Sequence, residues 1–188
     1  MISQFPNKRG TAQRSNNKGV RVATHIPLIK FVISARRSDI STVIEHGMGI
    51  GSTPFFHSLA HVSRIFSFEN DPAWRSCASC QSDTKQHAVS GWPGNDPLSV
   101  IPGIEPDSTF ALVDGPSDER FPFLLSCLSR GISSIAEHDS ETFSSADVEI
   151  RRKACLEFGY RGYQWINDDP ESVIYTRDHL SHASLVTL

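Results

Sequence analysis

The sequence predicts an α/β domain: a doubly wound, mostly parallel seven-stranded sheet with helices on both faces and a C-terminal antiparallel strand. Three observations predict it. Short apolar, β-branched runs alternate with segments of helical period between Thr42 and Thr176, the pattern of a parallel sheet wrapped by helices. A glycine-rich turn, Gly47-Met48-Gly49-Ile50-Gly51, joins the first of those runs to a helical pattern. Glu45, Glu69, Asp114, His138 and Asp139 fall at the expected carboxyl ends of strands, the edge at which open α/β sheets bind ligands.

Each element has its own local reason. Pro27 to Arg37 carries Leu28, Ile29, Phe31, Val32 and Ile33 between basic ends and reads as a helix packed on the sheet. Thr42 to Glu45 is short and β-branched, a buried strand. After the glycines, Thr53 is placed to cap a helix and Pro54 to occupy its first position, with Phe55, Leu59 and Val62 at helical spacing. Arg64 to Glu69 is the second strand. Asp71 and Pro72 repeat the cap-then-proline start, with a helix to about Ser82. His87 to Ser90 is a short strand, and residues 91–107, with four prolines, are irregular. Thr109 to Asp114 is an apolar strand, Phe121 to Arg130 a helix closed by Gly131, and Ile132 to Ala136 a fifth strand. Asp147 to Phe158 is a helix stopped by Gly159, its acids early and its Arg151, Arg152 and Lys153 later, as the helix dipole favours. Tyr160 to Ile166 and Ser172 to Thr176 form a closing pair that can run antiparallel.

The chain has 188 residues, enough for one domain with a sizeable core. Residues 1–22 read as a flexible basic arm, 23–180 as the α/β domain and 181–188 as a tail. The net charge of −3 hides an asymmetry: residues 1–38 hold eight Lys or Arg and no acid, while the rest carries a formal −11. Such an arm could contact the phosphates of a nucleic acid, although that reading is not favoured. No apolar run is long enough to span a membrane. Cys77 and Cys80 form a C-x-x-C within a predicted helix, without a second pair at zinc spacing. With Cys127 and Cys155 they suggest no disulfide framework, so a cytoplasmic setting is expected. The oligomeric state leaves no mark on the sequence.

The glycine turn is the most specific motif. A G-x-G-x-x-G dinucleotide turn starting at Gly47 would need glycine where Ser52 stands, and one starting at Gly49 would need it at Pro54. A phosphate loop would need a lysine that is absent. The spacing present is acid-x-G-x-G-x-G, led by Glu45, with Glu69 lying 18 residues beyond Gly51 at the end of the next strand. Glycines here let the chain turn sharply and let a ligand approach the backbone.

On these residues the chain resembles the class I S-adenosylmethionine-dependent methyltransferases, over roughly residues 41–178. The resemblance implies that Glu45, Gly47, Gly49 and Gly51 form the turn facing the amino-acid end of S-adenosylmethionine. It implies that Glu69 accepts from the ribose hydroxyls and that Asp96, in the loop after the third strand, lies near the adenine. Trp74 is either an adenine-side aromatic or a core residue. Asp114, His138 and Asp139 would face the acceptor, as base or as metal ligands. In the catechol-type branch an Asn follows the second acid; Ser140 stands there, so no metal is assigned. Asp114-Gly115-Pro116-Ser117 replaces the signature of base-modifying enzymes, which speaks against such an enzyme; transfer to an oxygen of a small-molecule or peptide-like acceptor is expected. Two alternatives stay open: a regulatory protein that binds S-adenosylmethionine without transferring its methyl group, and an enzyme that consumes it by another reaction.

Overall fold

A computed structural model of the chain describes residues 26–35, 39–49, 51–76, 86–94, 96–138, 140, 143–165, 172–178 and 185–187. The basic arm, Cys77, Cys80 and Asp139 lie outside the described residues. In chain order the elements are α1 (Ile26–Ala35), β1 (Thr42–His46), α2 (Ser52–Ser58), β2 (Arg64–Phe68), α3 (Pro72–Arg75), β3 (Gln86–Ser90), β4 (Thr109–Val113), α4 (Ser117–Ser129), β5 (Ser134–His138), α5 (Ser145–Phe158), β6 (Arg161–Trp165), β7 (Ser172–Thr176) and β8 (Leu185–Thr187).

They build one sheet in the order β3-β2-β1-β4-β5-β7-β6-β8. The first five of these strands run parallel, and β7, β6 and β8 join through antiparallel pairs. The chain steps outward from β1 to β3, then returns to β4 on the other side of β1. That reversal makes the carboxyl ends of β1 and β4 the topological switch point. The expected seven strands are all present, and Leu185–Thr187 adds an eighth at the edge beside β6.

Every residue of β1, β4, β5 and β7 is buried, as strands covered on both faces must be. On one face, Ile44, Ala111, Val113, Ile135, Val173 and Tyr175 meet Phe123, Leu124, Cys127 and Leu128 of α4 and Ala154 and Cys155 of α5. On the other, Val43, Ile65, Phe110, Leu112, Ala136 and Ile174 meet Leu28, Ile29, Val32 and Ile33 of α1 and Phe56 of α2. Each Val, Leu, Ile or Phe side chain so taken from water contributes about 1.5–3 kcal/mol. Cys127 and Cys155 are buried free thiols within the first cluster.

Five local expectations are corrected. Thr53 does not cap α2; Gly51 takes the cap position without a side-chain bond, because the Thr53 hydroxyl donates to Glu45 instead. Pro54 then falls at the third helical position, still inside the turn whose N–H groups have no intrahelical partner. α2 ends at Ser58, so Leu59 and Val62 pack from the connecting turn. α4 starts at Ser117, four residues before its apolar face begins, with Asp118 and Glu119 in its first turn. β5 starts at Ser134 because Ile132 is occupied in closing α4. The Ile132 N–H donates to Cys127 O at 3.1 Å and the Gly131 N–H to Leu128 O at 3.0 Å, with Gly131 at φ 76°. The same closure recurs at Gly159 and Tyr160 after α5. The Asp71 cap is as expected, its carboxylate accepting from the Ala73 N–H at 2.8 Å.

Among the described residues, no helix is long and apolar enough to cross a membrane.

Candidate functional site

The site begins with alternation along β1. Successive residues of a strand point to opposite faces, so Glu45 turns towards α2 and His46 towards α4. Glu45 is fully buried. Its carboxylate accepts from the hydroxyls of Ser52, of Thr53 (2.7 Å) and of Ser67 (3.0 Å). Burial pushes its pKa up to about 7 against those three donors, and nearby Asp114 adds to the rise. Glu45 is thus bound to the hydroxyls of the turn and of β2 from within the core.

His46 was not singled out from the sequence, although it lies inside the motif between Glu45 and Gly47. Its ring stacks on Phe123 with centroids 4.9 Å apart, tilts against Trp92 at 4.9 Å, and bonds through Nε2 to Glu119 Oε2 at 3.1 Å. Glu119 in turn accepts from the Asn70 amide at 2.9 Å, and Asn70 Oδ1 accepts from the Trp92 N–H at 2.8 Å. This chain of bonds ties the ends of β1, β2 and β3 to the first turn of α4. Burial and the neighbouring Asp118 raise the Glu119 pKa, against the Asn70 amide.

The glycines serve the protein's own packing more than expected. Gly47 has φ 89°, and a Cβ there would lie 2.6 Å from Asp114 O. Gly115 lies against the His46 ring, which a Cβ would overlap. Gly49 and Gly51 have ordinary backbone angles; the Gly49 N–H donates to Thr53 Oγ1 at 3.2 Å. The preceding amide, on Met48, donates to Glu69 Oε2 at 3.1 Å, while Glu69 Oε1 accepts from the Asp71 N–H at 2.9 Å. Glu69, 9% exposed, thus joins the glycine turn to the end of β2. Each of its oxygens takes one backbone N–H and keeps acceptor capacity for a further donor.

On the α1 side, Asp114 and His138 come together as the strand ends suggested: His138 Nδ1 lies 3.1 Å from Asp114 Oδ1. Arg120, buried and unmarked in the sequence, braces them. Its Nε donates to Gly115 O at 2.8 Å, one Nη to His138 O at 2.9 Å, and the other Nη lies 3.8 Å from Asp114 Oδ1.

One expectation fails to reach this edge. Asp96 accepts from Ser126 Oγ at 2.8 Å and Arg130 at 3.0 Å, at the far end of α4 from Glu119, because the loop after β3 turns back along the helix. Those partners, Ser126 first, lower its pKa. Trp74, in α3 just after β2, is buried. Among the described residues, no three His, Cys, Asp or Glu side chains are grouped to hold a metal ion.

No family model matches the sequence, and no curated protein matches it. Solved structures do share its fold. A candidate O-methyltransferase from Klebsiella pneumoniae aligns over 86% of this chain and 83% of its own, with a TM-score of 0.57 and 12% identity. Cofactor-bound Rv0187 from MTB aligns over 86% and 84%, with a TM-score of 0.56 and 14% identity. The methyltransferase domain of bacterial CtHen1 aligns over 81% and 98%, with a TM-score of 0.51 and 12% identity. The chain has the class I methyltransferase fold.

Proposed function

We propose that the chain transfers a methyl group from S-adenosylmethionine to an oxygen of a small-molecule or peptide-like acceptor. The observation that carries this reading is the joint position of the glycine turn and Glu69 at the switch point. The Glu69 carboxylate is anchored by the Met48 and Asp71 amides and still offers two oxygens to a pair of adjacent hydroxyls, which is the chemistry a ribose presents. Gly47, Gly49 and Gly51 form the turn beside it, pinned from below by Glu45. The cofactor would supply the electrophilic methyl group. The protein's share is to orient it and the acceptor, since positioning supplies much of the rate of such a transfer.

The acceptor side falls to Asp114 and His138. The carboxylate beside Nδ1 fixes the ring's orientation, an arrangement suited to receiving a proton from an acceptor hydroxyl. Asp139 is assigned to the same side from its place in the sequence. The neighbour from Klebsiella pneumoniae is described as an O-methyltransferase, which accords with an oxygen acceptor here.

Calorimetry with S-adenosylmethionine and its demethylated product, followed by turnover against a panel of hydroxylated acceptors, tests the reading. Binding of both with transfer to a hydroxyl supports it. A folded sample that binds neither overturns it. Binding without turnover across the panel moves the assignment to a regulatory S-adenosylmethionine-binding protein.

A further inference from the structure

The residue that pins the glycine turn is itself connected across the sheet. Ser67 donates to Glu45 Oε2 at 3.0 Å, and the same hydroxyl lies 2.9 Å from His87 Nε2. His87 Nδ1 lies 3.0 Å from His57 Nε2, and the two rings stand 4.9 Å apart. The chain of contacts therefore runs from buried Glu45 on β1 through β2 and β3 to half-buried imidazoles on β3 and α2.

One set of proton positions serves the carboxylate. His57 Nε2–H donates to His87 Nδ1, His87 Nε2–H donates to Ser67, and Ser67 donates to Glu45. The reverse set serves the neutral acid: Glu45 donates to Ser67, Ser67 to His87 Nε2, and His87 Nδ1–H to His57 Nε2. Both sets contain the same number of hydrogen bonds. Conversion takes up one proton at His57 and shifts one proton along each link, so the net change is one proton on Glu45. A buried carboxyl that changes charge ordinarily strands a partner; here every link from Glu45 to His57 Nε2 stays bonded in both sets, and the added proton rests on His57 Nδ1, itself buried.

We propose that His57, His87 and Ser67 form a proton relay that charges and discharges Glu45, and that the hold of the glycine turn on its ligand thereby depends on pH. The inference rests on the reading that this turn holds S-adenosylmethionine. Glu45, held up at about 7 by burial, changes charge near neutrality. His87, drawn down to about 4 by burial and by His57, stays neutral there and passes a proton without storing it. Asp114, just past the end of β4, opposes the charge on Glu45. Other charged groups on the packed elements are engaged elsewhere: Lys30 of α1 lies over Phe55, and Arg64 of β2 donates to Pro102 O and Gly103 O. As a carboxylate, Glu45 takes three hydroxyl donors and places a negative charge beneath a turn that would face a cationic ligand. Protonation weakens both effects.

The test combines two measurements on the full chain: calorimetric affinity for S-adenosylmethionine from about pH 5.5 to 8.5, and a carbon-13 titration of the Glu45 carboxyl without ligand. The expected affinity falls by up to about tenfold per pH unit below the Glu45 transition. His87→Phe is expected to move that transition to lower pH in both measurements, because the neutral acid loses the acceptor beyond Ser67. His57→Gln, which breaks only the outer link, is expected to move it the same way and serves if His87→Phe does not fold. Glu45→Gln is expected to abolish the transition. A Glu45 carboxyl that titrates in the ordinary range, or a transition that neither histidine variant moves, overturns the relay. A raised carboxyl transition that the histidine variants move, in a protein that binds no S-adenosylmethionine, overturns the cofactor reading, and with it the functional half of the proposal, while the relay itself stands.

Discussion

The carbonyl oxygen of Asp114 occupies the space in which a side chain on Gly47 would begin. A Cβ on Gly47 would lie 2.6 Å from that oxygen and 2.9 Å from Gly115 Cα, while the Asp114 N–H donates to His46 O at 2.8 Å. The first glycine of the motif is thus a packing requirement between β1 and β4. Gly47→Ala meets both an unfavourable φ of 89° and backbone that cannot step aside. The expected loss is about 2–4 kcal/mol, read as a lower urea midpoint. Gly51→Ala, at φ −102°, is expected to cost far less, under about 1 kcal/mol.

Glu69→Gln tests the ribose assignment. The variant keeps one acceptor oxygen and loses the charge, so affinity for S-adenosylmethionine is expected to fall about tenfold to a hundredfold, the worth of a hydrogen bond to a charged group. Calorimetry reads the change; unchanged affinity removes Glu69 from the site.

Asp96→Ala separates the adenine expectation from the structure. Asp96 bonds Ser126 and Arg130, and its ion pair is largely exposed. The expected result is unaltered cofactor affinity and a stability loss of no more than about 1 kcal/mol. A clear fall in affinity without unfolding would return Asp96 to the site.

Asp114→Asn and His138→Gln are expected to slow turnover by about a hundredfold or more while S-adenosylmethionine affinity stays within about threefold. Single-turnover kinetics beside calorimetry makes the comparison. Equal losses in both would mean that the pair shapes the cofactor site and takes no part in transfer.

Glu45 sets a pH dependence of stability whose sign is unusual for a glutamate. Its folded pKa is raised to about 7 by burial, so the folded state binds the proton more tightly than the unfolded chain. Stability from this group is fully present below the ordinary glutamate value. It is lost as pH rises towards 7, by an amount on the order of 3 kcal/mol. Urea unfolding across that window is expected to show the decline in the wild type and a flatter profile in Glu45→Gln.

Much of this was legible in the sequence because it is local. Strand and helix periods, the Asp71 cap and the Gly131 and Gly159 stops depend on residues a few positions apart. The boundaries of α4 and β5 were misplaced because first-turn polar residues and a closing Ile132 follow capping geometry and not apolar period. Among the candidate site residues, Glu45, Glu69, Asp114 and His138 stand out by their positions at the carboxyl ends of strands, whereas Glu119 and Arg120 look like any polar face of a helix.

The sequence by itself determined the alternation of strands and helices, the glycine spacing and the set of polar groups at one edge of the sheet, since each follows from neighbours along the chain. Only the tertiary structure decided what those groups touch. His46 meets Glu119 across 73 positions, and Glu45 meets Ser67 across 22. Such contacts follow from strand order and register, which bring together residues that no local period relates. For that reason Glu45 became the buried pin of the turn, and Asp96 was carried away to the far end of α4.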